Sequence, residues 1–172
     1  MHVLFVCTGN ICRSPTAERL AAAYVSRHQI SDFVAASAGT HAVVSHPMHH
    51  DAEAVLAQLG GSASNFAARQ LTRKVVSQAD LIITMTRSHR RSVLEVAPNK
   101  LRSTFTLTEA GLLATSHGAQ SINDLADLRG HLSADDILDI PDPIGQSTEV
   151  FAAVGKQIAE LLPPILEICR PE

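Results

Sequence analysis

Residues 3–15 of the chain read VLFVCTGNICRSP, and the fold can be predicted outward from them. Its first four residues form a short apolar run, which is typical of a buried strand. A Gly-Asn pair then indicates a tight loop. Ser14 as an N-cap and Pro15 at the first helical position predict a helix that continues to about Arg27. The stretch therefore predicts a strand, a loop and a helix in direct succession.

The same alternation continues along the chain. Further strands are predicted at about 33–37, 81–85 and 102–107, and further helices at about 51–59, 86–97 and 149–168. Pro163 and Pro164 are expected to bend or break the last helix, because proline removes a helical hydrogen bond. Strands that alternate with helices indicate βα units. The sequence therefore predicts an α/β fold, with a parallel sheet covered by helices on both faces.

Length and composition indicate one reduced globular domain. The 172 residues suit a single domain over 1–172, and the polar segment at about 115–139 is predicted to be a surface insertion. A net charge of −3 argues against nucleic acid or an anionic membrane as a partner. Three cysteines do not suggest a disulfide framework, so a cytoplasmic location is expected.

The spacing of Cys7 and Arg13 predicts an anion site that carries a nucleophile. The five residues between them form a loop whose backbone N–H groups turn inward, and Gly9 and Asn10 tolerate the left-handed backbone that this requires. The helix N-terminus and the planar fork of Arg13 add positive charge, which favours the thiolate form of Cys7. Two roles are open for Ser14: donating its hydroxyl to that sulfur, or capping the helix.

The residues predicted to bind the anion are those of the loop and the first helical turn: Thr8, Gly9, Asn10, Ile11, Cys12, Arg13 and Ser14. The strand before the loop and the helix start after it favour this function over the alternative that Cys7 is merely a buried strand-end residue. An anion-binding module without turnover is the non-enzymatic alternative.

At these residues the sequence resembles the low-molecular-weight protein tyrosine phosphatases. The stretch VCTGNICRSP at 6–15 is highly specific for that family near an N-terminus. Further matches are SAGT at 37–40, ARQL at 68–71, DLIITM at 80–85 and DP at 142–143. The resemblance implies a three-layer sandwich with a four-stranded parallel sheet, and neither a metal nor an organic cofactor. It also implies that Cys7 is the nucleophile, Arg13 the phosphate clamp and Asp142 the general acid.

The chemistry of the reaction supports Asp142 partly on its own. Phosphoryl transfer to sulfur must protonate the departing oxygen, and an activated water must then attack the cysteinyl-phosphate. One carboxyl group can do both in turn. Asp142 lies between Pro141 and Pro143, in a rigid loop able to hold it over the phosphate. The competing carboxylates lie in looser polar sequence: Asp124, Asp127, Asp135, Asp136 and Asp139.

Cys12 has two interpretations. It either fills a small buried space behind the loop, or it acts as a redox partner that forms a reversible disulfide with Cys7 and protects it from permanent oxidation. The resemblance to the family implies the second role. Cys169, near the end of the chain, is expected to be inert.

Two clusters of basic residues are predicted to lie in solvent. The histidines at 41–50 suggest an exposed loop rather than a metal site, because adjacent His49 and His50 are not expected to face one ion from a helix. The basic run at 87–91 is predicted to be a solvated helix face, with docking of an acidic phosphopeptide as the alternative.

The sequence departs from the family at the walls of the predicted substrate pocket. Ile144 stands where an aromatic residue usually follows the acid, and 41–44 lacks the aromatic that is common there. Phe66 replaces a histidine to which support of the phosphate loop is ascribed in the family. The predicted walls carry no ring to sandwich a phosphotyrosine: Ile11, Val43, Val44 and Ile144.

These departures leave alternatives for the substrate. Protein-tyrosine-phosphatase activity is favoured, because Ile11 lacks the hydroxyl that a related arginine-specific subgroup carries at that position. A protein-arginine phosphatase is one alternative. An arsenate reductase that relies on an external low-molecular-weight thiol is another, since it would need only Cys7. The expected partners are a phosphoprotein or a small phosphomonoester, with phosphate as a product inhibitor and the chain as a monomer or weak homodimer.

Overall fold

A computed structural model describes residues 1–170. The strands are β1 (His2–Cys7), β2 (Val34–Gly39), β3 (Leu81–Thr84) and β4 (Thr104–Thr106). The helices are α1 (Arg13–Arg27), α2 (His50–Gln58), α3 (Arg73–Ser77), α4 (Arg87–Val96), α5 (Leu107–Ser116), α6 (Ile122–Leu128) and α7 (Thr148–Ile168). The four strands pair in parallel in the order β2-β1-β3-β4, so the predicted α/β fold with a four-stranded parallel sheet is confirmed.

Helices cover both faces of the sheet. On one face, Phe5 of β1 and Ile83 of β3 pack in a large core with residues of α1, α5 and α7. On the other face, Val6 packs in a smaller core with Val76 of α3 and Val93 of α4. Because both faces are buried, the strands are apolar at consecutive positions rather than at alternate ones. The predicted three-layer sandwich is confirmed.

The loop after β1 lies where the strand order of the sheet reverses. From β1 the chain passes through α1 to β2 on one side, while β3 lies on the other side of β1. Neighbouring connections therefore diverge at the carboxyl end of β1, which opens the crevice where α/β sheets bind ligands. Cys7 is the last residue of β1 and lies at this edge.

Three helices were not expected from the sequence: α3, α5 and α6. The fourth strand ends at Thr106, where a strand to residue 107 was predicted, because Thr106 starts α5 with a capping box. The Thr106 side chain accepts the backbone N–H of Glu109, and the Glu109 carboxylate accepts the backbone N–H of Thr106. Of the other two, α3 has five residues and is capped by Thr72, and α6 lies in the segment at 115–139.

A bend or break was predicted at Pro163 and Pro164, and the break is wrong, because α7 continues through both prolines to Ile168. Leu162, immediately before them, and Ile165, immediately after them, are buried in the same core. Their burial on one continuous face offsets the two helical hydrogen bonds that the prolines cannot make. Within the described residues, no helix is both long and apolar enough to cross a bilayer.

The segment at 115–139 is anchored to the core. Most of its side chains are exposed or half-buried, in keeping with a surface segment. It nevertheless contains α6, whose Leu125 is fully buried, and Ala119 before it is buried too. Its description as an insertion stays a prediction.

Candidate active site

The loop at residues 8–12 connects β1 directly to α1, and the helix begins earlier than predicted. It starts at Arg13, with Cys12 in the N-cap position and no side-chain cap. The prediction of Ser14 as the N-cap is therefore wrong. Pro15 is the third helical residue, where a missing N–H still costs little. The uncapped first turn presents its N–H groups and the positive end of the helix dipole to the loop.

Asn10 organises the inside of the loop. It is fully buried and adopts a left-handed φ of 54°, as predicted. Its side-chain amide donates to Ser14 Oγ at 2.9 Å and to Ser37 Oγ at 2.8 Å, and its Oδ1 accepts the backbone N–H of Arg69 at 2.9 Å. Gly9 does not adopt a positive φ, so that part of the prediction is wrong: Asn10 alone makes the left-handed turn.

The hydroxyl of Ser14 faces the sulfur of Cys7. Ser14 Oγ and Cys7 Sγ are 2.9 Å apart, and both residues are buried. Because Asn10 donates to Ser14 Oγ, the proton of that hydroxyl is free to be donated to the sulfur. Ser37, the other acceptor of Asn10, donates its own proton to the carboxylate of Glu18. Contact with the sulfur is therefore the role that Ser14 has in this structure.

The guanidinium of Arg13 is held in place by two hydrogen bonds. Its side chain is 5% exposed, Nη1 donates to the carbonyl of Ile140 at 2.9 Å and Nη2 donates to Asp142 Oδ2 at 2.8 Å. The structure thus brings Asp142 to the loop across 129 positions of sequence. Two of the competing carboxylates form other ion pairs, Asp127 with Arg102 and Asp139 with Arg87.

The carbonyl groups of the loop point away from its centre. Three of them accept backbone N–H groups from the segment after β2: Thr8 from His41 at 2.9 Å, Gly9 from Val43 at 2.9 Å and Ile11 from His49 at 2.7 Å. With these carbonyls engaged outside, the N–H groups of the following peptides face the opposite way. N–H groups that face inward in this way are able to bind one anion.

His89 is a site residue that the sequence did not reveal. Its side chain was expected in solvent, yet His89 is 6% exposed. Its Nε2 lies 2.8 Å from Thr8 Oγ1, and its Nδ1 lies 2.9 Å from Thr86 Oγ1. Burial, together with the charge of Arg13, lowers the pKa of His89 to about 4. Thr86, three residues earlier, caps α4, and this Thr-x-x-His spacing was the signal available in the sequence.

Three of the predicted pocket walls lie beside the loop or the acid. A Cβ atom placed on Gly9 would contact both Ile11 and Val43, at 3.5 and 3.6 Å, so these two side chains flank the loop together. The backbone N–H of Ile144 donates to Asp142 Oδ1 at 3.2 Å. Val43, Val44 and Ile144 are exposed, which is unusual for apolar side chains of this size.

Four of the six Phe and Tyr side chains are engaged elsewhere. Phe66, which replaces the histidine of the family pattern, packs against the guanidinium of Arg19 at 5.4 Å. Phe5 and Phe105 are fully buried in the core. Tyr24 donates its hydroxyl to Glu167 on α7. No ring among these four is available to stack on a substrate.

Cys12 is buried beside the nucleophile. It is a free thiol, and burial, reinforced by the charge of Cys7, raises its pKa to about 12. Cys169 is also free and buried, and burial raises its pKa to about 12. Both thiols therefore remain protonated at neutral pH. The redox role of Cys12 stays a prediction.

His49, His50 and Asp51 lie closer together than the sequence indicated. One ligand atom from each lies within 4.8 Å of the others. The expectation that His49 and His50 do not face one ion from a helix does not apply, because His49 is the N-cap of α2 and stands outside the helix. His49 Nδ1, however, accepts the backbone N–H of Asp51 at 3.3 Å. The His50 side chain is 83% exposed. The ring of His49 is therefore held by a hydrogen bond, whereas the ring of His50 lies in solvent.

A sequence model of the family described as low molecular weight phosphotyrosine protein phosphatase matches residues 2–124. The chain belongs to this family. The resemblance stated from its motifs is confirmed, and the chain is a cysteine-dependent phosphatase with Cys7 in the loop at the end of β1.

Relatives with curated names or solved structures agree with this assignment. The low molecular weight protein-tyrosine-phosphatase Wzb of Escherichia coli K12 is 35% identical over 153 residues, which cover 89% of this chain and 84% of Wzb. The low molecular weight protein tyrosine phosphatase of T. tengcongensis has a TM-score of 0.78 at 30% identity, over 97% of this chain and 98% of that one. The YwlE arginine phosphatase of Geobacillus stearothermophilus has a TM-score of 0.74 at 28% identity, over 96% of this chain and 90% of YwlE.

Proposed function

We propose that the protein hydrolyses phosphotyrosine in proteins, and related aryl phosphates, through a cysteinyl-phosphate on Cys7. The observation that carries this proposal is the convergence of three groups on one loop. Ser14 Oγ lies 2.9 Å from the sulfur of Cys7, and Arg13, at the start of the same helix, is joined to Asp142 at 2.8 Å. Nucleophile, anion clamp and proton donor are thus assembled at one helix N-terminus.

The first step transfers the phosphoryl group to sulfur. The thiolate of Cys7 attacks phosphorus, a P–S bond forms, and the bond from phosphorus to the ester oxygen breaks. Arg13 and the loop N–H groups bind the equatorial oxygens, where charge is spread in the transition state. Asp142 gives its proton to the departing oxygen.

The second step releases phosphate. A water molecule loses its proton to the Asp142 carboxylate and attacks phosphorus, while the P–S bond breaks and returns the thiolate. The hydroxyl of Ser14 stabilises that leaving sulfur, since it is oriented to donate to it. The loop that held the substrate also binds the product, so we expect inorganic phosphate to inhibit competitively.

The substrate preference rests on Ile11 and on the exposed walls. Ile11 offers an apolar surface without a hydroxyl, which suits the aryl group of tyrosine. The walls Val43 and Ile144 add apolar contact but no stacking, which is worth about 0.5–1.5 kcal/mol for an aromatic pair. We therefore expect weak apparent affinity for phosphotyrosine peptides. The absence of rings among these walls, with the likeness to YwlE, favours phosphoarginine as the second candidate.

A substrate panel tests the proposal directly. The purified protein is assayed with p-nitrophenyl phosphate, a phosphotyrosine peptide, a phosphoarginine peptide, and arsenate plus a low-molecular-weight thiol, with Cys7→Ser as the inactive control. Hydrolysis of the phosphotyrosine peptide at a higher kcat/KM than the phosphoarginine peptide supports the proposal. The reverse ranking selects the arginine phosphatase, and arsenate turnover alone selects the reductase. Phosphate binding without any turnover would identify an anion-binding module.

A further inference from the structure

The contact between His89 and Thr8 joins a buried ring to an exposed hydroxyl. His89 is 6% exposed, whereas Thr8, the first residue of the phosphate loop, is exposed. The Nε2 of His89 and the Oγ1 of Thr8 are 2.8 Å apart, across 81 positions of sequence. A ring so placed holds the Thr8 side chain in one rotamer. The His89 ring thereby orients Thr8, and it can do so without contacting the substrate.

The hydrogen bonds around the ring can run in two directions. In the first, Thr86 donates its hydroxyl proton to Nδ1 and Nε2–H donates to Thr8 Oγ1. In the second, Nδ1–H donates to Thr86, and Thr8 donates its proton to Nε2. Either direction is compatible with the 2.9 Å contact at Nδ1 and with the backbone N–H of His89, which donates to Thr86 Oγ1 at 3.1 Å. Only the first direction leaves the Thr8 proton free.

An anion bound by the loop favours one of these two hydrogen-bond directions over the other. A phosphate oxygen accepts hydrogen bonds and repels lone pairs, so it favours the direction in which Thr8 offers its proton. We propose that His89 is a positioning residue that donates through Nε2 to Thr8, so that the Thr8 hydroxyl donates to the bound phosphate. The proposal rests on the proposed function only in requiring that the loop binds phosphate.

The first turn of α4, which carries His89, is itself held by hydrogen bonds. The ring lies in the first turn of α4, whose first residue Arg87 donates its backbone N–H to Asp139 at 2.8 Å. The next residue after Asp139, Ile140, accepts the hydrogen bond from Arg13 at 2.9 Å. The start of α4 therefore contacts both the phosphate loop, through Thr8, and the segment that carries the acid.

A double-mutant cycle on phosphate binding tests the proposal. Thr8→Val removes the hydroxyl, His89→Leu removes the ring donor, and the inhibition constant of inorganic phosphate is measured for each and for the pair. We expect each single variant to bind phosphate about 10-fold more weakly, the range for a hydrogen bond to a charged group. The double variant should be no weaker than either single one, because the same hydrogen bond is lost in all three.

Two controls separate positioning from a structural role. His89→Gln keeps an amide N–H in reach of Thr8 and should restore phosphate binding to within about 3-fold of wild type. Thr115→Val removes another threonine hydroxyl, which bonds to Gly111 at 2.8 Å in α5, and should leave phosphate binding unchanged. Melting temperatures are measured for all variants. If His89→Leu does not fold, Thr8→Val and His89→Gln still decide the question.

A tautomer measurement provides a readout that packing alone would not change. In ¹⁵N-histidine-labelled Cys7→Ser protein, His89 should show the Nε2–H tautomer once phosphate is bound. Additive losses in the cycle, unchanged phosphate affinity in Thr8→Val, or the Nδ1–H tautomer with phosphate bound would each overturn the proposal and leave the proposed function standing. Coupled losses in a protein that turns over no substrate of the panel would overturn the function alone.

Discussion

Arg13 and Asp142 form an ion pair of 2.8 Å, although 129 positions separate them in the sequence. The arginine is buried and the aspartate is half-exposed. The pair therefore occupies one arm of the fork that a phosphate would use, while the carbonyl of Ile140 orients the other. On the proposed function, we expect a bound phosphate to take the place of the carboxylate on Arg13, with Asp142 then beside the departing oxygen.

Replacing Arg13 by lysine should reduce both phosphate binding and turnover. An ammonium group is a point charge and cannot contact two oxygens of one phosphate with a planar fork. We expect kcat/KM to fall by about 100-fold or more, as for the loss of one preorganised donor, and the inhibition constant of phosphate to rise. Arg102→Lys, at the exposed pair with Asp127, is the matched control and should behave as wild type. Wild-type phosphate affinity in Arg13→Lys would contradict the clamp.

Gly39→Ala should displace the phosphate loop. A Cβ atom at Gly39 would lie 2.4 Å from the carbonyl oxygen of Thr8, and this neighbour is backbone that cannot swing aside. Overpacking of this kind costs about 1–3 kcal/mol, so the midpoint of urea unfolding should fall, and kcat should fall with it. Gly130→Ala is the control, since a Cβ there has no neighbour within 4 Å. Equal stability of the two variants would show that the loop does not depend on this close approach.

The elements around residues 3–27 were predictable because their signals are local. An apolar run, a loop with Asn10 and a proline near the helix start all act within a few residues. The helix α5 was missed although Thr106 and Glu109 stand at capping-box spacing, because the preceding residues alternate like a strand. The continuity of α7 through Pro163 could not be predicted, since it depends on burial against other helices rather than on local preference.

The same contrast between local signals and tertiary packing applies to the site residues. Cys7 and Arg13 follow from their spacing in one loop, and Asp142 came from the family pattern together with the need for a proton donor. His89 was missed, because the Thr-x-x-His spacing indicates only the start of a helix, whereas the burial of the ring depends on packing against a loop 81 positions away. A basic run on a helix is ordinarily solvated, and only the tertiary structure shows that one of its members is turned inward.

His89 should make the protein less stable as the pH falls below about 6.5. Burial lowers the pKa of His89 from 6.5 to about 4, with Arg13 also lowering it and the charges of Asp142 and Asp139 raising it. The unfolded chain therefore binds a proton that the folded protein does not, and stability is lost between these two values. The melting temperature of wild type should fall more steeply from pH 7.5 to pH 5 than that of His89→Gln. Parallel curves would contradict a neutral, buried ring.

Mild peroxide should inactivate the enzyme reversibly through Cys12. Peroxide oxidises the Cys7 thiolate to a sulfenic acid, which condenses with the Cys12 thiol to a disulfide and releases water. We expect a Cys7–Cys12 crosslink by mass spectrometry, and recovery of activity with dithiothreitol. Cys12→Ser should lose activity permanently at the same peroxide dose, whereas Cys169→Ser should recover like wild type. Equal recovery in both variants would show that Cys12 is only core filling.

Removing the carboxyl of Asp142 should slow the reaction in proportion to how much the leaving group needs a proton. We expect Asp142→Asn to lower kcat/KM by about 10²–10⁴-fold for phenyl phosphate, the range for a positioned acid. The loss should be small for p-nitrophenyl phosphate, because nitrophenolate departs without protonation. The amide keeps the size of the side chain and can no longer pair with Arg13 as a charge, so the phosphate inhibition constant is measured in parallel to separate binding from proton transfer. Asp127→Asn, at an exposed ion pair, is the control. An equal loss for both leaving groups would assign Asp142 to the orientation of Arg13 rather than to the proton.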